Sequence, residues 1–371
     1  MSLAALVDEA SGPERLYIIP FEQAGDEPVS RIGGKCIGLA ALVRAKAPVS
    51  PGFVVTTEAY EAMLQVEGLG REIARLIEGL DVNHFESSAR VSSDILEAFL
   101  ARPMPAGLEA AIRTAYERLG SAEREAAVAV RSSGTGEDLP DASFAGQGDT
   151  YLGVLGAEDV TAKVKRCWAS LYLARAMAYR AQCGVGHLDV EMAVAVQVMV
   201  NARSAGVAMT LDPANGDRSK IVIESTWGLG ETLVSGEVTP DHFLVDKVML
   251  IPVVRRIAQK EHELILDPAT RHTAHVQVPE ARQHEPSISD DELKRIAQHA
   301  KTIERHFGSP QDIEWAIDES RVESGGVVIL QSRPETVWAK KAPTARPAAS
   351  SFGMSSVLGS LIAPMVAKTQ K

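Results

Sequence analysis

Several residue types that mark particular protein classes are scarce in this sequence. Its 371 residues include three cysteines, Cys36, Cys167 and Cys183, which form neither a CxxC pair nor the spacing of a zinc site. So few thiols are typical of a reducing compartment, where they are usually buried and idle. The formal net charge of −11 argues against general affinity for nucleic acid, because that affinity depends on neutralising phosphates with lysine and arginine.

A leader segment and long apolar runs are also missing. The first residues, MSLAALVDEASG, lack the basic and apolar regions of a secretory signal. The longest strongly apolar run, Met192–Val200, is far shorter than the roughly 20 residues that cross a bilayer. These features predict a cytoplasmic protein that binds neither nucleic acid nor a membrane.

Glycine-rich segments beside single basic residues are what the sequence does contain. The run Ala126–Val130 is typical of a strand and leads into Arg131 and the glycine-rich stretch SSGTGEDLPDASFAGQGDT. Backbone N–H groups of such a loop can cradle phosphate oxygens, and the arginine adds a permanent charge. Lys35 follows Gly33–Gly34 at a predicted helix start, which also suits anions. Both segments predict phosphate binding; a mobile loop and a surface lysine are the plainer interpretations.

Two apolar runs near the C-terminus, QDIEWAID and GGVVILQSRP, predict a β-hairpin. Because side chains alternate between faces of a strand, the core-facing set is expected to be Ile313, Trp315 and Ile317. Asp312 and Glu314 then point to the other face. On the second strand, the same alternation places Gln331 and Arg333 on one face with Val327 and Ile329.

This hairpin offers a candidate metal site. Mg²⁺ takes oxygen ligands, often one or two from the protein and the rest from phosphate and water. Glu314 and the side-chain oxygen of Gln331 fit that need, and Arg333 could stabilise a phosphate during transfer. Polar residues on one face of a hairpin are, however, often simply solvated.

Other patterns give the coarse organisation. Periodicity predicts helices within residues 68–120 and one long helix over about Glu158–Gln182, followed mainly by strands. Ser289 and Glu292 have the spacing of a capping box, which predicts a helix that ends at Gly308. The glycine-punctuated segment Glu224–Lys247 is interpreted as a lid edge or a series of structural turns.

Six motifs, in order, carry a resemblance to a known family. They are GGK, PGFVVTTEAY, AVRSSGTGEDLPDASFAGQGDTYLGV, TWGLGETLVSGEVTPDHFLVDK, DIEWAID and ILQSRP. Together they resemble the N-terminal nucleotide-binding domain of phosphoenolpyruvate synthase, pyruvate phosphate dikinase and rifampin phosphotransferase. The resemblance implies an α+β ATP-grasp fold, in which two lobes with mixed or antiparallel sheets close on ATP. The expected lobes are residues 1–195 and 196–338, and the Pro- and Ala-rich residues 339–371 are expected to form a linker or docking tail.

The resemblance also implies roles for individual residues. Lys35, Arg131 and Arg333 are expected to contact the phosphates and to act in catalysis. Gly146 and Thr150 are expected near the phosphates, Gln197 near the adenine, and Glu314 and Gln331 at the Mg²⁺ ion. Small departures from the family pattern occur at Cys36, Gly134 and Gly136.

In the family that the sequence resembles, a histidine attacks the β-phosphorus of ATP, AMP leaves, and the resulting pyrophosphoryl-histidine loses phosphate before it supplies the acceptor. The family's histidine has a Gly-Gly…Ser-His-Ala context, which none of the nine histidines here shares. His275 follows Thr273 but lacks the glycines. We therefore expect an ATP-binding subunit that uses ATP and Mg²⁺ to modify a histidine-bearing partner subunit. The partner's acceptor is expected to be phenol, as in phenylphosphate synthase, or pyruvate.

Three alternatives stay open. The chain could be a regulatory subunit that binds an adenylate without catalysis, an ATP-grasp ligase that forms ADP, or a fragment of a longer enzyme. The complete set of charged site residues argues against the first, because such charges are costly to keep unless they bind something. The products separate the others: AMP and phosphate favour the dikinase reaction, and ADP favours a ligase.

Overall fold

Two antiparallel β-sheets with helices packed against them form the body of the protein. The chain divides into two compact units, Met1–Pro334 and Glu335–Lys371, and the elements below belong to the first. In the part of the chain that is described, no helix combines the length and apolar character needed to cross a membrane. The computed structural model describes residues 17–82, 84–121, 124–136, 138–139, 142–143, 148–318, 320–321 and 325–338.

The first sheet has five strands in the order β1-β2-β7-β3-β6, and every neighbouring pair is antiparallel. The short strands β4 (Asp138–Leu139) and β5 (Ala142–Ser143) pair with each other. The strands of the sheet are β1 (Ile18–Pro20), β2 (Gly52–Val55), β3 (Val128–Gly134), β6 (Thr150–Val154) and β7 (Met192–Val198).

Helices cover both faces of this sheet, which explains the continuous apolar run in β7. Val194 and Val196 pack into the larger core, while Ala193 and Ala195 pack on the opposite face beneath α1 (Val29–Arg44). The larger core is built with α2 (Thr57–Gln65), α3 (Leu69–Ile77), α4 (Phe85–Ala101), α5 (Ala106–Glu117), α6 (Ala157–Ala169) and α7 (Ala174–Gln182).

The single long helix expected over residues 158–182 is wrong, because the chain breaks between α6 and α7. Residues 170–172 form a 3₁₀ turn and Leu173 has extended backbone angles. The hydroxyl of Ser170 donates to the carbonyl of Cys167 at 2.6 Å and accepts the backbone N–H of Asp149 at 3.4 Å. Such side-chain bonds to the backbone compete with helix continuation.

The second sheet has six antiparallel strands in the order β11-β10-β9-β8-β14-β15. One face packs against α10 (Asp290–Phe307) through a cluster that includes Ile296, Ile303 and Trp315. The strands are β8 (Ser204–Met209), β9 (Lys220–Trp227), β10 (Asp241–Asp246), β11 (Pro252–Arg256), β14 (Gln311–Ile317) and β15 (Val327–Pro334).

The capping box predicted for α10 is confirmed. The backbone N–H of Ser289 donates to the Glu292 carboxylate at 2.8 Å, and the Glu292 N–H donates to the Ser289 hydroxyl at 3.3 Å. Gly308, with φ of 71°, ends the helix as expected. Shorter elements complete the unit: α8 (Glu231–Val234), the hairpin of β12 (His262–Leu266) and β13 (Thr273–Gln277), and α9 (Glu280–Gln283).

The protein is thus an α+β protein with antiparallel sheets, as the sequence predicts. The expected boundary between residues 195 and 196 falls within β7, in the middle of the first sheet. The division into two lobes stays a prediction. The expected linker, residues 339–371, lies outside the described residues.

Candidate functional site

A cavity of about 380 Å³ is lined by residues from both sheets. Lys35 on α1, Arg131 on β3 and Glu314 on β14 all line it, although they are far apart along the chain. Of the eight residues predicted from sequence, Gly146 lies outside the described residues. The other seven line this cavity: Lys35, Arg131, Thr150, Gln197, Glu314, Gln331 and Arg333.

A break in α1 positions Lys35. Gly33 has φ of 70° and ψ of 169°, which interrupts the helix two residues before the lysine. The Ser133 hydroxyl of β3 ties the break in place: it accepts the N–H of Cys36 at 3.1 Å and donates to the carbonyl of Ile32 at 2.9 Å. The ammonium of Lys35 donates to the carbonyl oxygen of Ser132 at 2.8 Å. The lysine therefore lies against the strand that carries Arg131.

An ion pair joins the two sheets inside the cavity. The Nη2 of Arg131 lies 3.0 Å from the Oε2 of Glu314, and its Nη1 donates to the Leu330 carbonyl at 3.5 Å. The side chains of Arg131 and Glu314 are 15% and 27% exposed. Thr150 lies opposite Arg131 in the register of β3 and β6. A guanidinium and a carboxylate that could each bind a ligand thus neutralise each other.

The hairpin of β14 and β15 contains a β-bulge. Glu314 pairs with Gln331, but its neighbour Trp315 pairs with Ile329, so that Leu330 is an extra residue in β15. The pairing places Glu314 and Gln331 side by side at the cavity wall.

The bulge also overturns the predicted alternation along β15. Val327 and Ile329 pack into the core, whereas Gln331 and Arg333 line the cavity. The expectation that these four side chains share a face is wrong, because one inserted residue shifts the two-residue period.

The donor set at the hairpin fits Mg²⁺ better than a metal held wholly by protein. Among the described residues, no group of three or more His, Cys, Asp or Glu side chains could hold a metal ion. Glu314 and Gln331 offer two adjacent oxygen ligands. Mg²⁺ usually takes few protein ligands and shares the rest of its shell with phosphate and water.

Much of the remaining lining is apolar, and it includes one buried amide. Gln197 is 3% exposed, and its side-chain nitrogen has no hydrogen-bond partner in the described part of the chain. A buried amide of this kind needs a partner, which a ligand could supply. The apolar lining includes Val198, Met199, Val200, Ala202 and Ala205.

The segment between β9 and α8 also contributes to the lining. Leu229, Gly230, Glu231 and Val234 line the cavity, the last two from α8 itself. Both interpretations of this segment, a lid edge or a series of structural turns, stay predictions. Sequence reasoning did not single out these four residues, although the paired glycines of GLGE marked a turn.

Outside the cavity, three carboxylates lie close together. Burial, followed by the hydrogen bond and negative charge of Glu61 and the charge of Glu58, raises the pKa of Glu191 from 4.5 to about 7. The folded chain therefore holds a proton that the unfolded chain releases between these values. We assign this cluster no function, but the raised pKa of Glu191 makes the stability of the fold depend on pH.

We expect the contribution of Glu191 to the thermal midpoint to fall as pH rises from about 5 to 8. Because the pKa of Glu191 is raised in the folded state, the protonated side chain stabilises the fold, and that contribution is lost as pH rises through 7. Glu191→Gln should flatten this part of the profile, measured by thermal unfolding across pH. Glu97→Gln, at an exposed helix position, is the control; equal slopes in both variants would contradict the assignment.

Comparison with known proteins places the chain in a family. The family model of the pyruvate phosphate dikinase AMP/ATP-binding domain matches residues 29–352. The phosphoenolpyruvate synthase of Aeropyrum pernix is 41% identical over 354 residues, covering 88% of this chain and 43% of that protein. The probable phosphoenolpyruvate synthase of Staphylothermus marinus is 39% identical over 348 residues, with coverage of 88% and 42%.

A third relative, the probable phosphoenolpyruvate synthase of Methanocaldococcus jannaschii, is 40% identical over 337 residues, covering 90% of this chain and 28% of that protein. The chain thus spans less than half the length of these relatives. A solved structure, PH1788 from Pyrococcus horikoshii, has a TM-score of 0.30 and 14% sequence identity to this chain. The match covers 71% of this chain and 99% of the other, and at that TM-score it carries no argument about fold or function. The resemblance found in the sequence is confirmed: the chain belongs to the family of pyruvate phosphate dikinase AMP/ATP-binding domains.

Proposed function

We propose that the cavity binds ATP with Mg²⁺ and that the chain, with an ATP-grasp fold of two lobes, is the ATP-binding part of a dikinase-type phosphotransferase. One observation carries this proposal. Side chains that are far apart in the sequence line a single cavity, namely Lys35, Arg131, Glu314, Gln331 and Arg333. The lining of that cavity combines charged with apolar side chains, which suits a nucleotide.

The charged and the apolar lining residues suit the two ends of ATP. The apolar part, with the unpartnered amide of Gln197, suits a base that offers hydrogen-bonding edges within a flat apolar body. Lys35, Arg131 and Arg333 suit the triphosphate, because fixed cations offset its negative charge. Thr150, opposite Arg131, can donate a further hydrogen bond from its hydroxyl.

Glu314 and Gln331 would hold the Mg²⁺ ion, whose contribution is to offset charge on the phosphate oxygens. In the structure, the guanidinium of Arg131 forms an ion pair with the carboxylate of Glu314. Ligand binding would therefore separate this pair, giving the carboxylate to the cation and the guanidinium to the phosphates. Each group exchanges one opposite charge for another, so neither is left buried and unpaired.

The reaction proposed for this site is transfer to a histidine nitrogen. The new N–P bond forms at the β-phosphorus, the bridge to the α-phosphate breaks, and AMP leaves with the bonding electrons. No histidine is among the described residues that line the cavity. We place the acceptor histidine on a partner subunit that also binds the small acceptor, phenol or pyruvate. Lys35, Arg131 and Arg333 would hold the phosphates in line for that attack.

Two measurements test the function. Calorimetry should detect binding of MgATP to the chain alone, and the absence of heat would remove the basis of the proposal.

The chain is then mixed with a histidine-bearing partner and ATP labelled at the β-phosphate. Transfer of label to protein with release of AMP supports the dikinase reaction. Formation of ADP would instead support a ligase, and binding without turnover would support a regulatory role.

Glu314→Ala should raise the Mg²⁺ concentration needed for half-maximal ATP binding by about tenfold or more, as loss of a group that supports a bound metal does elsewhere. The measurement is a Mg²⁺ titration at fixed ATP. Glu224→Ala is a matched control, because Glu224 lies in the same cross-strand row two strands away and contacts His242 at 3.3 Å. An unchanged titration curve for Glu314→Ala would refute the metal assignment.

A further inference from the structure

A second, smaller cavity of about 30 Å³ lies beside the proposed nucleotide site, and Gly148 lines both. Its polar lining residues include Ser132 on β3, Ser170 in the turn before α7, and Arg180 on α7. Glycines and apolar side chains form the rest of the wall. The proposed ATP-binding function assigns this cavity no role.

Arg180 is a cation buried in the wall of this cavity. It is 2% exposed, and among the described residues no Asp or Glu forms an ion pair with it. One Nη donates to the carbonyl of Leu171, but the Nε has no partner in the described structure. Burying an unpaired charge costs far more than burying one that is paired and hydrogen-bonded.

The described ionisable groups around Arg180 supply no formal negative charge. Its ionisable neighbours are the hydroxyls of Tyr60 and Tyr172, which bond to each other at 2.8 Å. Burial lowers the pKa of Arg180, and burial together with the charge of Arg180 lowers the pKa of His187. The side chains around the arginine are therefore neutral or disfavour a positive charge of their own.

A second donor in the same cavity also lacks an acceptor. Ser132 is 1% exposed, and its hydroxyl has no hydrogen-bond partner among the described residues. It lies close against Gly148, where an added Cβ would come within 2.1 Å of the oxygen. The hydroxyl of Ser170, by contrast, is already engaged with Cys167 and Asp149. Two buried donors in the wall of the cavity are thus unsatisfied among the described residues, and one of them is charged.

We propose that this cavity binds a monatomic anion, chloride under physiological conditions, as the counterion of Arg180. The Nε–H of Arg180 and the hydroxyl of Ser132 would donate to it. The cavity of about 30 Å³ is small, which suits a monatomic ion. A water molecule could accept the same hydrogen bonds, but it brings no charge to balance the buried guanidinium.

The position of the cavity lets a bound anion affect nucleotide binding, an inference that rests on the proposed function. The carbonyl of Ser132 accepts the hydrogen bond of Lys35, and its N–H donates to the Asp149 carbonyl at 3.1 Å. An anion that fixes Ser132 would therefore pre-organise the residue that holds a phosphate-binding lysine. We expect MgATP to bind more tightly in chloride than in gluconate.

Halide binding itself is tested without nucleotide, so its outcome does not depend on the ATP proposal. Thermal unfolding is compared in sodium chloride, sodium bromide and sodium gluconate at equal ionic strength. The midpoint should rise with halide concentration and not with gluconate, since a ligand that binds the folded state stabilises it. Crystals soaked in bromide should show an anomalous-scattering peak in the cavity. A water at that position, or a midpoint that does not respond to halide, would overturn the proposal.

Two variants locate the effect. Arg180→Met and Ser132→Ala should each weaken the apparent halide affinity by about tenfold or more, because each removes a hydrogen-bond donor to the ion. Ser133→Ala is the matched control: its hydroxyl is satisfied by Ile32 and Cys36, and it does not line the cavity. If Arg180→Met does not fold, Ser132→Ala decides. Halide dependence that persists in Ser132→Ala at full strength would contradict the proposed site.

Discussion

Replacing Arg333 by alanine is expected to slow phosphoryl transfer by on the order of 10²–10³-fold while leaving MgATP affinity nearly unchanged. Arg333 lines the cavity next to the proposed metal ligands but lies outside the ion pair of Arg131 and Glu314. Its side chain is 47% exposed and lies 3.8 Å from the carboxylate of Asp312, so it is only loosely held. We infer that it acts mainly on the charge that develops during transfer.

The measurement compares the dissociation constant for MgATP with the rate of AMP formation in the presence of the histidine-bearing partner. Arg256→Ala, which removes an exposed arginine from β11 of the same sheet, controls for a general loss of positive charge. If binding and rate fall by equal factors in Arg333→Ala, the arginine stabilises bound substrate and transition state alike, and the transition-state role is wrong.

Gly33→Ala is expected to lower the free energy of unfolding by more than about 3 kcal/mol. Its backbone angles are in a region that is essentially restricted to glycine, where another residue costs about 1–3 kcal/mol. A Cβ would also lie 2.1 Å from the carbonyl oxygen of Ser133 and 2.5 Å from its hydroxyl. To relieve that contact, the helix would have to move away from β3 and take Lys35 with it.

Chemical denaturation of the variant measures this effect, and Gly156→Ala separates its two causes. Gly156 has a similar backbone conformation, with φ of 84° and ψ of 142°, but a Cβ there would meet no atom within 4 Å. It should therefore lose only the conformational contribution. Equal losses in the two variants would show that α1 and β3 do not approach as closely as described.

The sequence predicts chemistry better than it predicts register. The polar residues of the final hairpin could be recognised because strand alternation separates Glu314 from the apolar Ile313 and Trp315. The bulge at Leu330 could not be recognised, because it depends on how β15 pairs with β14 and not on any residue type in the segment. The alternation therefore assigned Val327 and Ile329 to the same face as Gln331 and Arg333, although Val327 and Ile329 pack into the core.

Contacts between distant segments lie beyond local patterns for the same reason. The motifs identify Arg131 and Glu314 separately, but their ion pair exists only because two different sheets bring β3 and β14 together. The break before α7 likewise depends on Ser170 reaching Asp149, a residue at the end of another segment. Helical periodicity alone continues through that point without interruption.

The ion pair of Arg131 and Glu314 has a further consequence for the order of events at the site. If Glu314 holds the cation and Arg131 the phosphates, as proposed, metal alone would draw Glu314 from its guanidinium, and metal-free nucleotide would draw Arg131 from its carboxylate. Either ligand arriving alone would then leave one side chain of the pair without an opposite charge. A preformed complex of the two satisfies both side chains at once. Such a site would discriminate between chelated and free nucleotide before any chemistry begins.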